Sequence, residues 1–151
     1  MNQEVKKKWV NALRSGEYLP TEYHLTAKEQ NMEGEYVERH CALGVLCDIA
    51  VNEGVIPPSD WDQRQDNFGE VMWVRTYSDP VLGAVDDVLP LDVMVWADLP
   101  NCNPSLETTV REYDWDVQDI VEVEGSFEIS ALNDKYDVDF REIADLIDGQ
   151  L

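Results

Sequence analysis

The 151-residue sequence predicts a single α+β domain over residues 1–151, with four or five helices packed on a small, mostly antiparallel sheet. Three observations carry this expectation. Stretches at helical spacing and stretches of strict alternation succeed each other without a regular strand–helix–strand rhythm, which disfavours a doubly wound parallel sheet. An apolar content of 44%, with five Trp and six Tyr, argues for a packed core rather than a disordered chain. The length is that of one domain with room for a core.

The elements follow in order. Val5, Trp9, Val10 and Leu13 fall on one helical face and Gly16 follows, predicting a helix over 4–15. Beyond Pro20, Tyr23, Leu25 and Ala27 alternate with His24 and Thr26, a strand pattern. A turn at 31–34 and a second strand opening at Tyr36 and Val37 complete a hairpin. The run 41–51 is the most apolar of the chain, interrupted only by Asp48, and has the length of a buried helix. Gly44 inside it costs about 1 kcal/mol relative to Ala, a penalty that makes sense where another backbone comes close.

Pro57, Pro58, Asp60, Asp62, Asp66 and Gly69 mark 55–69 as a loop. Over 71–77, Val71, Trp73, Arg75 and Tyr77 alternate with Met72, Val74 and Thr76, a strand with both faces partly apolar that ends at Asp79 and Pro80. Pro90 suits the first turn of a helix carrying Val93, Met94, Trp96, Ala97 and Leu99 and stopping at Pro100. Across 101–125 the pattern is weakest. Tyr113, Trp115 and Val117 alternate with Asp114 and Asp116, which reads as a short acidic strand. Phe127, Ile129, Ala131 and Leu132 suggest a short helix before Asn133 and Asp134. Last, Asp139 caps a helix with Glu142 three residues on, an apolar stripe of Phe140, Ile143, Ala144 and Ile147, and Gly149 as its end.

Charge narrows the function. Thirty-two acids against eleven cations give a net charge of −21. Such a surface repels phosphate backbones and anionic membranes, so neither nucleic acid nor membrane is an expected partner, while a basic protein is. The charge is uneven. Lys6, Lys7, Lys8 and Arg14 make the first fourteen residues basic, whereas 112–148 hold thirteen acids against Lys135 and Arg141. Ends of opposite sign can pair with each other. No run of about 18 apolar residues and no signal-peptide core occur, and three cysteines suit reduced thiols, so a cytoplasmic location is expected.

Motifs for chemistry are sparse. His24, His40, Cys41, Cys47 and Cys102 lack the paired spacing of a zinc site, so no metal is expected. Cys47, in an apolar helix beside Asp48, is a poor nucleophile. Carboxylate pairs are too abundant to discriminate, the 134–142 stretch fails calcium-loop spacing, and no phosphate-binding glycine motif is present. No catalytic residue and no cofactor are assigned, which weighs against an enzyme. Trp61, between Asp60 and Asp62, and Trp115, between Asp114 and Asp116, are different: an aromatic between acids suits an anchor on an acidic docking face.

Several stretches in order carry a resemblance: Trp9-x-x-Ala12-Leu13-Arg14-Ser15-Gly16-x-Tyr18, then Cys41-Ala42-Leu43-Gly44-Val45-Leu46-Cys47-Asp48. Leu89-Pro90-x-x-Val93-x-x-Trp96-Ala97-Asp98-Leu99, Ala131-Leu132-Asn133-Asp134 and Phe140-x-x-Ile143-Ala144-Asp145-x-Ile147 follow. Together they resemble a family of small bacteriophage and prophage proteins with no assigned activity, over about two-thirds of the chain. The resemblance implies a viral accessory protein acting on host machinery and assigns no catalytic residue. The expected function is therefore a non-enzymatic acidic protein that binds and inhibits a basic, nucleic-acid-handling or defence protein of the host, by imitating DNA. Its contact residues would be Asp114, Trp115, Asp116, Asp119, Glu122 and Glu124, with Trp61. The alternative is a small protein that binds or hydrolyses a nucleotide-type ligand in a pocket between the 41–51 helix and the 71–77 strand, lined by Arg39, Arg75 and Tyr77.

Overall fold

The structure, a computed structural model, describes residues 1–65 and 71–151. Among these, five helices and seven strands form a mostly antiparallel α+β fold, as the sequence predicts. Helix α1 (Gln3–Ser15) begins at Asn2, whose side chain accepts from the Glu4 and Val5 amides, and ends at Gly16 in the left-handed conformation. Strands β1 (Thr26–Gln30) and β2 (Tyr36–His40) form the predicted hairpin. The central helix α2 (Ala42–Asn52) is buried along most of its length, as its composition requires.

Cys41 caps α2: its Sγ accepts the Gly44 amide at 3.3 Å, the role a Ser hydroxyl usually fills. Gly44 lies against the backbone of Leu25, where a Cβ would stand only 1.6 Å from the carbonyl oxygen. That close approach is the one its helix penalty implied.

Strands β3 (Asp60–Gln65), β4 (Val71–Asp79) and β5 (Gly83–Val85) complete a five-stranded sheet in the order β2-β1-β4-β3, with β5 on β4. Helix α3 (Leu91–Ala97) stops at Asp98, which is left-handed, four residues after Met94 and two before Pro100. Strands β6 (Ser105–Asp114) and β7 (Asp119–Glu128) form a separate two-stranded ribbon, followed by α4 (Ile129–Asp134) and α5 (Phe140–Gln150). One core, built around Trp9, Leu13, Leu43, Leu46, Leu132, Ile143 and Ile147, joins α1, α2, α4 and α5. The basic and acidic ends of the chain do pair: Arg14 binds Asp145 and, at 3.2 Å, Asp148, and Lys6 donates to the Asp148 carbonyl at 2.6 Å.

Several local expectations are corrected. The 55–69 loop contains strand β3, whose Asp60, Asp62, Arg64, Gln63 and Gln65 give no apolar alternation; backbone pairing with β4 holds it. Asp66 and Gly69 lie outside the described residues. The first strand starts at Thr26 rather than Tyr23, because Tyr23 adopts φ +64 and the chain bends there. Phe127 belongs to β7, and Gly149 lies within α5 rather than ending it. Over 113–117 the alternation marks a strand end and a turn, not one acidic strand.

Candidate functional site

The β6–β7 ribbon gathers six of the seven residues expected to contact a partner. Its base is fixed: Leu106 and Val110 are buried, Phe127 packs edge-on against Tyr136, and Gln150 of α5 exchanges two hydrogen bonds with the Glu107 backbone, at 2.7 and 2.8 Å. Its far end is not. Asp114 and Asp119 are the last pair of the ladder, and residues 115–118 turn the chain with Gln118 at φ +57. Asp114 Oδ1 accepts the Asp116 and Val117 amides, at 2.8 and 3.3 Å, and so shapes the turn.

Trp115 stands at this tip, 82% exposed, with its ring in T-shaped contact with Tyr113 at 4.8 Å. Val117 and Ile120 are also exposed. Sequence reasoning missed Tyr113, Val117 and Ile120 as tip residues. The signal was available in the second alternation, Val121 and Val123 against Glu122 and Glu124, which requires a turn between two strands.

Cross-strand pairing sorts the carboxylates. Glu122 and Glu124 lie on the outer face, opposite Arg111 and Thr109, whereas Glu112 and Asp114 share the inner face with Val121 and Val123. The outer Arg111–Glu122 pair, at 3.9 Å, is largely exposed to water and contributes little. On the inner face a hollow of about 360 Å³ is floored by Val121 and Val123, walled by Trp115 and rimmed by Glu112, Asp114 and Asp116. An apolar floor beneath a carboxylate rim matches the stem and head of a Lys or Arg side chain.

Trp61 is elsewhere. It sits on edge strand β3, half-buried, with Lys28 Nζ 4.1 Å from its ring centre and the Arg75 guanidinium at 4.7 Å. The two cations hold it on the five-stranded sheet, apart from the ribbon. This placement sets it apart from the other six residues expected to contact a partner.

The three residues of the alternative pocket do not converge either. Arg39 pairs with Ala27, as Val74 does, which places it on the face opposite Arg75 and Tyr77. There it binds Glu29 at 3.1 Å and the Pro20 carbonyl at 3.2 Å. Arg75 binds Glu38 at 3.2 Å and lies 3.9 Å from Asp48 of α2. Tyr77 is buried, and its hydroxyl shares a 3.0 Å hydrogen bond with Thr26, which also contacts His40 at 3.1 Å. Burial raises the Tyr77 phenol and lowers the His40 imidazole. This network ties α2 to the sheet. Burial also pushes the Cys41 thiol up to about 12 and the Cys47 thiol well above its ordinary value, so neither is a thiolate at neutral pH. Among the described residues no group of His, Cys, Asp and Glu is arranged to hold a metal ion, and no helix is long and apolar enough to cross a membrane.

The fold and its projecting arm define the class: a small α+β protein whose most exposed aromatic surface is ringed by carboxylates. No curated protein and no solved structure matches the chain. The family model described as Domain of unknown function (DUF8296) matches residues 1–151, and the protein belongs to that family.

Proposed function

We propose that this is a non-enzymatic cytoplasmic binding protein that docks the tip of its β6–β7 ribbon on a basic, nucleic-acid-handling surface of another protein and blocks it. The supporting observation is the tip itself. A Trp exposed to 82% and braced by Tyr113 is an anchor already held in place, so little side-chain freedom is lost on docking. Asp114, Asp116 and Asp119 flank it with negative charge, and Glu122 and Glu124 extend that charge down the outer face of the arm, in the place phosphates take on a basic groove. Nucleic acid and the ribbon then compete for one surface, which is inhibition. The resemblance to bacteriophage proteins supports a host protein as the target.

The test is capture from host lysate with parent, Trp115→Ala and the triple variant Asp114→Asn/Asp116→Asn/Asp119→Asn, followed by binding kinetics with the captured protein. Trp115→Ala should weaken binding by about 2 kcal/mol or more, the loss typical of a central aromatic anchor. The triple variant should associate about tenfold more slowly at low salt and lose that deficit as salt rises. Equal rates for all three proteins at every ionic strength would refute the docking reading.

A further inference from the structure

A second hollow, of about 400 Å³, lies between the end of α1, the 18–20 segment and the turn into α5. Its volume is that of a small-molecule site. Val138 and the ring of Phe140 supply apolar wall, and Tyr18 supplies a second aromatic ring. That ring is immobilised, because its hydroxyl donates to Asp48 at 2.7 Å and it makes a T-shaped contact with His40 at 5.0 Å. The hollow therefore meets a fixed aromatic ring rather than a free phenol.

The polar side of the lining is acidic. Asp137 and Asp139 both reach it, against the single cation Arg141. Asp139 Oδ1 is occupied in capping α5, with the Arg141 and Glu142 amides at 2.8 and 2.9 Å. Asp137 is exposed and sits at φ +51, a left-handed conformation that Asp and Asn adopt more readily than other non-glycine residues. The neighbouring cations are already committed, Lys135 to Glu112 at 3.3 Å and Arg14 to Asp145. Gly16 ends α1 at the same hollow, where the negative end of that 13-residue helix offsets the positive end of α5, and two carboxylates against one guanidinium leave the lining net negative.

Aromatic rings, apolar wall and a net excess of carboxylate together select one ligand chemistry. An anion would be repelled. An inorganic cation would find too few oxygens among the rings. A neutral apolar ligand would leave the carboxylates without a partner. We propose that this hollow binds a small organic ammonium ion, its charge against Asp137 and the aromatic rings and its carbon substituents on Val138 and Phe140. The site is independent of the ribbon.

The probe is choline, compared with its uncharged carbon isostere dimethylbutanol, in amide chemical-shift titrations of the intact protein. Choline should shift amides of residues 16–20 and 137–141 saturably, and the isostere should bind about fivefold or more weakly, as loss of a partly desolvated cation–aromatic contact implies. Asp137→Asn, which keeps size and tolerates the left-handed backbone, should weaken choline by a similar factor. Asp116→Asn removes one charge from the ribbon tip and should leave choline binding unchanged; it controls for general attraction of cations to so acidic a protein. Equal binding of the isostere, equal weakening by both variants, or no saturable shift would each overturn the assignment.

Discussion

At the scale of single residues, Gly44 and Asp79 carry more of the fold than their size suggests. Gly44→Ala should gain about 1 kcal/mol of helix propensity, yet it places a methyl 1.6 Å from the Leu25 carbonyl oxygen. That carbonyl is fixed by the Cys41 amide at 3.0 Å, so a backbone segment, not a side chain, would have to move. The clash outweighs the propensity, and urea titration should find the variant destabilised by about 3 kcal/mol or more. A neutral or stabilised Gly44→Ala would mean that α2 and Leu25 are not in contact. Asp79, buried at the end of β4, accepts the Val81 and Leu82 amides on Oδ1 and the Leu91 amide on Oδ2, each at 2.7–2.8 Å. These bonds, led by the one from Leu82, hold its carboxyl below the ordinary value. A depressed folded-state pKa contributes stability above the unfolded value of about 3.9, and that contribution is lost as pH falls through the folded pKa. Asp79→Asn can keep the two Oδ1 bonds but turns a donor toward the Leu91 amide. Its stability deficit relative to the parent should be constant near neutral pH and shrink on acidification below about pH 4. A deficit unchanged down to pH 2 would show that the carboxylate charge is not what these amides recognise.

At the scale of elements, legibility tracked how apolar residues were spaced. Helices α1, α2 and α5 were readable because each concentrates its apolar side chains on one face or along one run, and their caps at Gly16 and Asp139 were readable with them. Strand β3 was not, since five of its six residues are polar and Pro57 and Pro58 precede it; only its partner β4 makes it a strand. The ribbon was half-legible. Acidic clustering and Trp115 singled out the segment that forms its tip, but the turn lacks the Asn-Gly or Asp-Gly pair that announces a tight hairpin, so the alternation ran through the tip. The hollow beside α5 escaped altogether. Its walls come from residues more than a hundred positions apart, and no local pattern announces a meeting of that kind.

For the molecule as a whole, a net charge of −21 on one compact body sets the background against which every contact acts. Eleven cations cannot neutralise 32 acids, and several of those cations, such as Lys28 and Arg75, are engaged on the sheet. Self-repulsion therefore exceeds the attraction from exposed ion pairs such as Arg14–Asp145. Raising sodium chloride from about 0.01 M to about 0.5 M, across which the screening length falls well below protein dimensions, should raise the thermal midpoint. A midpoint that falls with salt would place the ion pairs, not the repulsion, in control.

The rooting of the ribbon has an evolutionary consequence. The Ile129 amide binds the Pro104 carbonyl at 3.0 Å, closing the arm at its base, and the buried Leu106 and Val110 belong to that base. Residues 113–120 contribute no side chain to the core. Mutations there disturb no core packing, so under the proposed docking function lineages within the family would exchange or lose a target through substitutions at the tip while inheriting the same scaffold unchanged.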